Sequence, residues 1–128
     1  MFLKSYEIDW KYPHWKVKYN QKKANQIAFK LARHFKIDLR GITFRGYKIG
    51  WASYSNRIKL PKINIPLGII SHEIGHLLSF KYGHTGHNKK AYRYIKRVYK
   101  YSFRYIPSDI LLNIDYNKKL LIYTAKEE

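Results

Sequence analysis

The sequence predicts a single α+β domain, on three observations. Two amphipathic stretches carry apolar residues at helical spacing, a glycine-punctuated stretch with period-two alternation stands between them, and no regular strand-helix-strand alternation of a doubly wound sheet is present. No internal repeat, low-complexity tract or Gly/Ser linker divides the chain, so residues 1 to 128 read as one compact unit.

The elements follow in chain order. Ala24, Ile27, Ala28, Leu31 and Phe35 recur at helical spacing after Asn20, a plausible N-cap, and define an N-terminal helix ending near Ile37. Its opposite face carries Lys22, Lys23, Lys30 and Arg33, and His34 reads as a partly buried structural histidine. Residues 41 to 60 change period. Ile42, Phe44, Tyr47, Ile49, Trp51 and Tyr54, broken by Gly41, Gly46 and Gly50, predict two or three short strands joined by tight turns, and Arg57 to Leu60 a further strand. Together they make a short mixed or antiparallel sheet. Pro61 and Pro66 bracket a loop, and Pro66 suits the first turn of a helix because its missing N–H would be unpaired there. That helix runs to about Phe80, with Ile70, Ile74, Leu77 and Leu78 buried and Gly83 as its stop signal. A third helix is expected from about Asn88 to Tyr101, with Tyr92, Ile95, Val98 and Tyr99 as its apolar stripe. Beyond Pro107, Ile110 to Ile114 and Leu120 to Tyr123 read as a C-terminal hairpin around Asp115 to Lys118.

Composition narrows the chemistry. With no cysteine, disulfides and thiolate metal sites are excluded, so a zinc ion would have to sit on imidazole nitrogen and carboxylate oxygen. The beginning of the sequence, Met1 to Tyr12, mixes charged residues into its apolar ones, and no apolar run approaches the roughly 20 residues that span a bilayer. The expectation is a cytoplasmic protein with no membrane partner. The 26 Lys and Arg against 8 Asp and Glu give a formal charge of +18, the electrostatic footprint of a nucleic-acid binder. Trp10, Trp15, Trp51 and the many tyrosines interleaved with Lys and Arg offer stacking surfaces for such a partner.

Between Asp38 and Asp109 the one acidic residue is Glu73, and it stands inside His72-Glu73-Ile74-Gly75-His76. Helix positions i and i+4 share a face about 5–6 Å apart at Cβ, so both imidazoles can reach one Zn²⁺ at about 2.0–2.1 Å. Glu73, one position on, points beside the metal, where it can take a proton from a water the metal activates. A catalytic zinc needs a third protein ligand. After Glu73 the next glutamate is Glu127, and Ser79 and Tyr82 stand where a metzincin would carry Gly and His. The candidates are His84 and His87 in Gly83-His84-Thr85-Gly86-His87, with Asp109 as an outsider. His87 is favoured because the helix that starts after it would fix its direction, and His84 could act from behind the ligands. Tyr82 and Tyr92, near in sequence, are candidate contacts for the oxyanion or the substrate.

These residues resemble the SprT-like zinc peptidases, including the catalytic domain of Spartan-type proteins. The resemblance runs from the first helix through Trp51 to Leu60 and the His72 to His76 helix to Gly86-His87-Asn88-Lys89-Lys90. It implies a zincin fold with one Zn²⁺ per chain on His72, His76 and His87, Glu73 as general base, a protein or peptide substrate, and an extended edge strand ahead of the metal helix at Arg57 to Leu60. The sequence departs from the family at Asn88, where a glycine is usual, at Ala91, where an aromatic is usual, and in lacking a cysteine zinc ribbon. In scale it is also similar to the archaeal minigluzincins. A last expectation concerns Lys126, Glu127 and Glu128: on so basic a body this tail would be drawn to the active-site face and inhibit it.

Overall fold

The computed structural model describes residues 12–46 and 50–112. A 3-10 turn, Pro13–Lys16, leads into β1 (Lys18–Tyr19) and α1 (Gln21–His34). The strands β2 (Gly41–Phe44), β3 (Trp51–Ser53), β4 (Arg57–Leu60) and β5 (Ile65–Pro66) follow. Then come α2 (Leu67–Lys81), α3 (Lys89–Ser102), a second 3-10 turn at Phe103–Tyr105, and α4 (Ser108–Leu112). The α+β class expected from the sequence is the class observed.

Asn20 caps α1 as its position predicts, its side-chain oxygen accepting from the Lys23 N–H at 2.8 Å. Ala24, Ile27, Ala28, Leu31 and Ala32 bury one face of that helix. His34 sits on the exposed side instead of partly inside, stacked on Tyr101 with ring centroids 3.6 Å apart.

The sheet is mixed, as the sequence predicts, but Arg57 to Leu60 does not take the edge position expected of it. The strand order is β2-β4-β3, with β2 and β4 parallel and β3 and β4 antiparallel. Arg57 to Leu60 is therefore the central strand, with Ile58 and Leu60 buried, and the strand flanking it on the helix-facing margin is β3. The tight β3–β4 hairpin turns at Asn56, which takes a left-handed φ of 60° that asparagine tolerates. β1 and β5 form a separate antiparallel pair that pins the start of α2 to the N-terminal segment. At the other end, Ser108–Leu112 is helical, so residues 110–112 of the predicted hairpin's first strand, Ile110 to Ile114, belong to a helix. The remainder of that hairpin, the Lys126 to Glu128 tail and Trp10 lie outside the described residues.

α2 is the centre of the molecule, buried without interruption from Leu67 to Ser79. A helix apolar all round must be surrounded, and α1, α3 and strands β3 to β5 surround it. Its polar residues then need partners inside. Ser71 Oγ meets Ser102 Oγ at 2.9 Å, and the Ser79 hydroxyl donates to the His84 carbonyl at 2.7 Å. The other three, His72, Glu73 and His76, each reach the surface by only 7–8% of their area.

The partner helix α3 packs against α2 at very close range. A Cβ added at Gly75 would stand 2.6 Å from the Cα of Ile95, so this position of the histidine motif is small because another backbone lies against it. The Tyr99 hydroxyl donates to the Gly68 carbonyl at 3.0 Å and Trp15 covers Gly68. His14, fully buried, donates from Nε2 to the Tyr99 carbonyl at 2.8 Å. Burial pushes its pKa down to about 3 despite that bond, so it stays neutral as an internal strut between Tyr99 and Phe103.

Candidate metal centre

His72 and His76 stand one turn apart on α2, and the third imidazole arrives from the connection to α3. α2 ends in a turn dictated by Gly83, whose φ of +84° only glycine adopts at no steric cost. The Gly83 N–H bonds back to Phe80 O and the His84 N–H to Ser79 O, both at 3.0 Å, which closes the helix end with its characteristic paired bonds. A second left-handed glycine, Gly86 at φ +73°, reverses the chain again. Asn88 then caps α3, accepting from the Ala91 N–H at 2.8 Å while its amide donates to the Thr85 carbonyl at 2.9 Å. His87 is thus held between a glycine turn and a double-anchored cap. The Asn88 side chain is what fixes the helix start.

The three Nε2 atoms converge. His72 to His76 and His72 to His87 are 3.0 Å, and His76 to His87 is 3.1 Å. Three imidazole nitrogens at this spacing repel one another through their lone pairs, and a shared proton can relieve one contact at a time. A cation at the point they face relieves all three. Nitrogens bound to one zinc at about 2.0–2.1 Å can be no more than about 4.2 Å apart, and these fall inside that limit. Among the described residues this is the group of histidine or acidic side chains spaced to hold a metal ion.

Electrostatics favours the ligating form. Burial, and then the facing rings of His72 and His87, push the His76 pKa down to about 3, so its lone pair is available at any working pH. Its Nδ1 is buried with no hydrogen-bond partner among the described residues, whereas ligating histidines usually donate that N–H to an acceptor. The ring is oriented by packing instead, at 6.0 Å and 28° from Phe80. His87 is the exposed member, which leaves the triad open to solvent on its side.

Glu73 lies on the neighbouring face of α2, turned toward the sheet. A Cβ at Gly50 would meet Glu73 Oε2 at 2.6 Å and its Cγ at 2.9 Å. Gly50, which the sequence presents as turn punctuation ahead of β3, is therefore the gap into which the carboxylate fits. Composition gives no sign of this, because the contact joins residues 23 positions apart.

The other candidates lie elsewhere. The His84 ring stacks toward Tyr94 at 5.6 Å and its backbone is tied to Ser79, so His84 is not in the converging group. Tyr82, 52% exposed, stacks on Tyr94 at 5.1 Å and 7°. Tyr92 packs on the Tyr12, Ile95 and Tyr99 cluster with its hydroxyl buried. Asp109 is an exposed residue of α4, outside the group.

Compared with protein-family models, curated proteins and solved structures, the chain matches none of them. No helix of the described residues is long and apolar enough to cross a membrane.

Proposed function

We propose that this protein is a zinc-dependent peptidase. The observation that carries the reading is the convergence of three imidazole Nε2 atoms within 3.0–3.1 Å of one another, beside a buried carboxylate one residue from the first of them. The donor set is all imidazole nitrogen, with no fourth protein ligand in the group among the described residues, the composition of a catalytic rather than a closed structural zinc site. Zinc bound there would act as a Lewis acid, polarising a peptide carbonyl and acidifying water. Glu73 supplies the proton-handling group: its carboxylate accepts the proton of the attacking water and delivers it to the departing amine nitrogen. Burial on α2 and the wall at Gly50 keep that carboxylate in one orientation.

Protein prepared with one equivalent of Zn²⁺ should hydrolyse an unstructured casein-like substrate. Dialysis against 1,10-phenanthroline should bring the rate to background, and returning zinc should restore it. Undiminished hydrolysis by metal-free protein, or none at any zinc level, would reject the reading.

A second reading, binding of nucleic acid, is supported by the outer face of α3. Lys89, Arg93, Lys96, Arg97 and Lys100 line a groove of about 510 Å³ with Tyr92 among them. The helix contains no acidic residue, and of the three acids among the described residues Asp38 pairs with Arg40 while Glu73 is buried. Such a face attracts phosphates without reading bases. Gel shifts should weaken steeply with salt, and replacing Lys89, Arg93 and Arg97 by Glu should flatten the log–log salt slope by about 0.9 for each phosphate no longer neutralised. A slope unchanged by the triple substitution would remove α3 as the binding surface.

A further inference from the structure

The face of α2 that carries Glu73 continues beyond it. Residues 73, 77 and 80 recur at helical spacing, and β3 runs alongside them. At one end of this strip Gly50 abuts Glu73; at the other, Tyr54, the residue after β3, stacks on Phe80 with centroids 4.5 Å apart. Phe80 in turn stacks on His76. Tyr54 and Phe80 also line a cavity of about 310 Å³, whose other apolar walls are Ile37 and Leu77 and whose remaining lining, Asn56 among it, is polar or charged.

We propose that this cavity is a specificity subsite, taking one large apolar or aromatic side chain of the peptide whose backbone crosses the metal centre. The inference rests on the peptidase reading and extends it to a substrate class. Size supports a single side chain, since the volume is at the bottom of the roughly 300–1,000 Å³ range of ligand pockets. Chemistry supports an apolar one. Of the charged groups at the rim, Lys81 Nζ is committed to the Phe35 and Lys36 carbonyls at 3.5 and 3.1 Å, and Asp38 is paired with Arg40 at 3.3 Å. Lys36 and Lys81 are both cations at the mouth, since bonds to neutral carbonyls fix the Lys81 ammonium without removing its charge. Tyr54 is 72% exposed, an aromatic ring held at the surface with Phe80 beneath it, as a wall that gains cover when an occupant arrives. Position follows from helix and strand geometry. Seven residues of helix from Glu73 to Phe80 span about 10 Å, the length of roughly three residues of extended peptide. The occupant therefore sits two or three residues from the scissile bond.

Two measurements on the full zinc-loaded chain test this. In methyl-resolved NMR spectra, N-acetylphenylalaninamide should shift the Ile37 and Leu77 methyl signals, N-acetylglycinamide at equal concentration should not, and Tyr54→Ala should weaken the response about tenfold. Digests of a mixed peptide library should be enriched in cuts two or three residues from Phe, Tyr or Leu. For those peptides Tyr54→Ala should lower kcat/KM about tenfold, against less than twofold for peptides with Gly at that place. Equal response to both amides, a preference for acidic residues set by Lys36, or a cleavage profile indifferent to Tyr54→Ala would overturn the subsite. The methyl shifts without hydrolysis of any peptide would support the pocket and sink the peptidase reading, so the two failures are distinguishable.

Discussion

Glu73→Gln should reduce peptide hydrolysis by about 10²–10⁴-fold, the range expected for loss of a general base, while zinc content and thermal midpoint stay as in the parent protein. Glutamine keeps the shape that fills the gap at Gly50 but offers no basic oxygen, so chemistry is removed and packing retained. The companion substitution, Gly50→Ala, separates position from proton transfer. Its methyl would stand 2.6 Å from both Glu73 Oε2 and Ile69 Cγ2, so one of them must move. A displacement of about 1 Å at a reacting group is worth up to about 10²-fold in rate. Steady-state assays with zinc analysis on the same samples read both effects. A Glu73→Gln protein with full activity would remove the carboxylate from the proposed mechanism, and a Gly50→Ala protein that loses zinc along with activity would show the glycine to be structural.

His87→Ala should cost zinc affinity more than the tenfold to hundredfold typical of losing a group behind a ligand, whereas His84→Ala should leave it nearly unchanged. His87 contributes one of three nitrogens in the converging group, and with it gone two imidazoles of α2 remain. His84 contributes its backbone to the helix-end turn and its ring to Tyr94, and alanine keeps the first of these without touching the triad. Because His87 is exposed, its removal opens no cavity, so circular dichroism should stay native in both variants. Competition with a chromophoric zinc chelator gives the affinities. The reverse order of losses would move the third ligand to His84, and equal retention in both would leave the i,i+4 pair alone.

Much of this arrangement is legible in the sequence because it is local. Helical spacing and an asparagine cap define α1, glycine after Tyr82 stops α2, and the i,i+4 histidines share a face by geometry alone. What escapes is non-local. Strand order cannot be read from Ile42 to Leu60, since a parallel β2–β4 pair with β3 outside them has the same alternation as a simple meander, and the pattern of Arg57 to Leu60 suits an edge as well as the centre it occupies. The helix Ser108–Leu112 is too short to show a period, so the aliphatic run that begins at Ile110 reads as strand. Gly50 and Gly75 look like a turn and a spacer; their meaning lies in Glu73 and Ile95, which fold against them. His14 gives no signal at all, because burial of a lone histidine depends on Tyr99 and Phe103 reaching it from far along the chain.

With the backbones of α2 and α3 in contact at Gly75, the two helices that frame the triad are locked by Ile95, Val98 and Tyr99 whether or not an ion is present. Metal uptake by the triad would then be the filling of a socket already shaped, unlike small domains that collapse when stripped of their metal. On the zinc-peptidase reading, the protein would be made, stored and purified empty, and its active fraction would follow the supply of free zinc rather than the rate of synthesis.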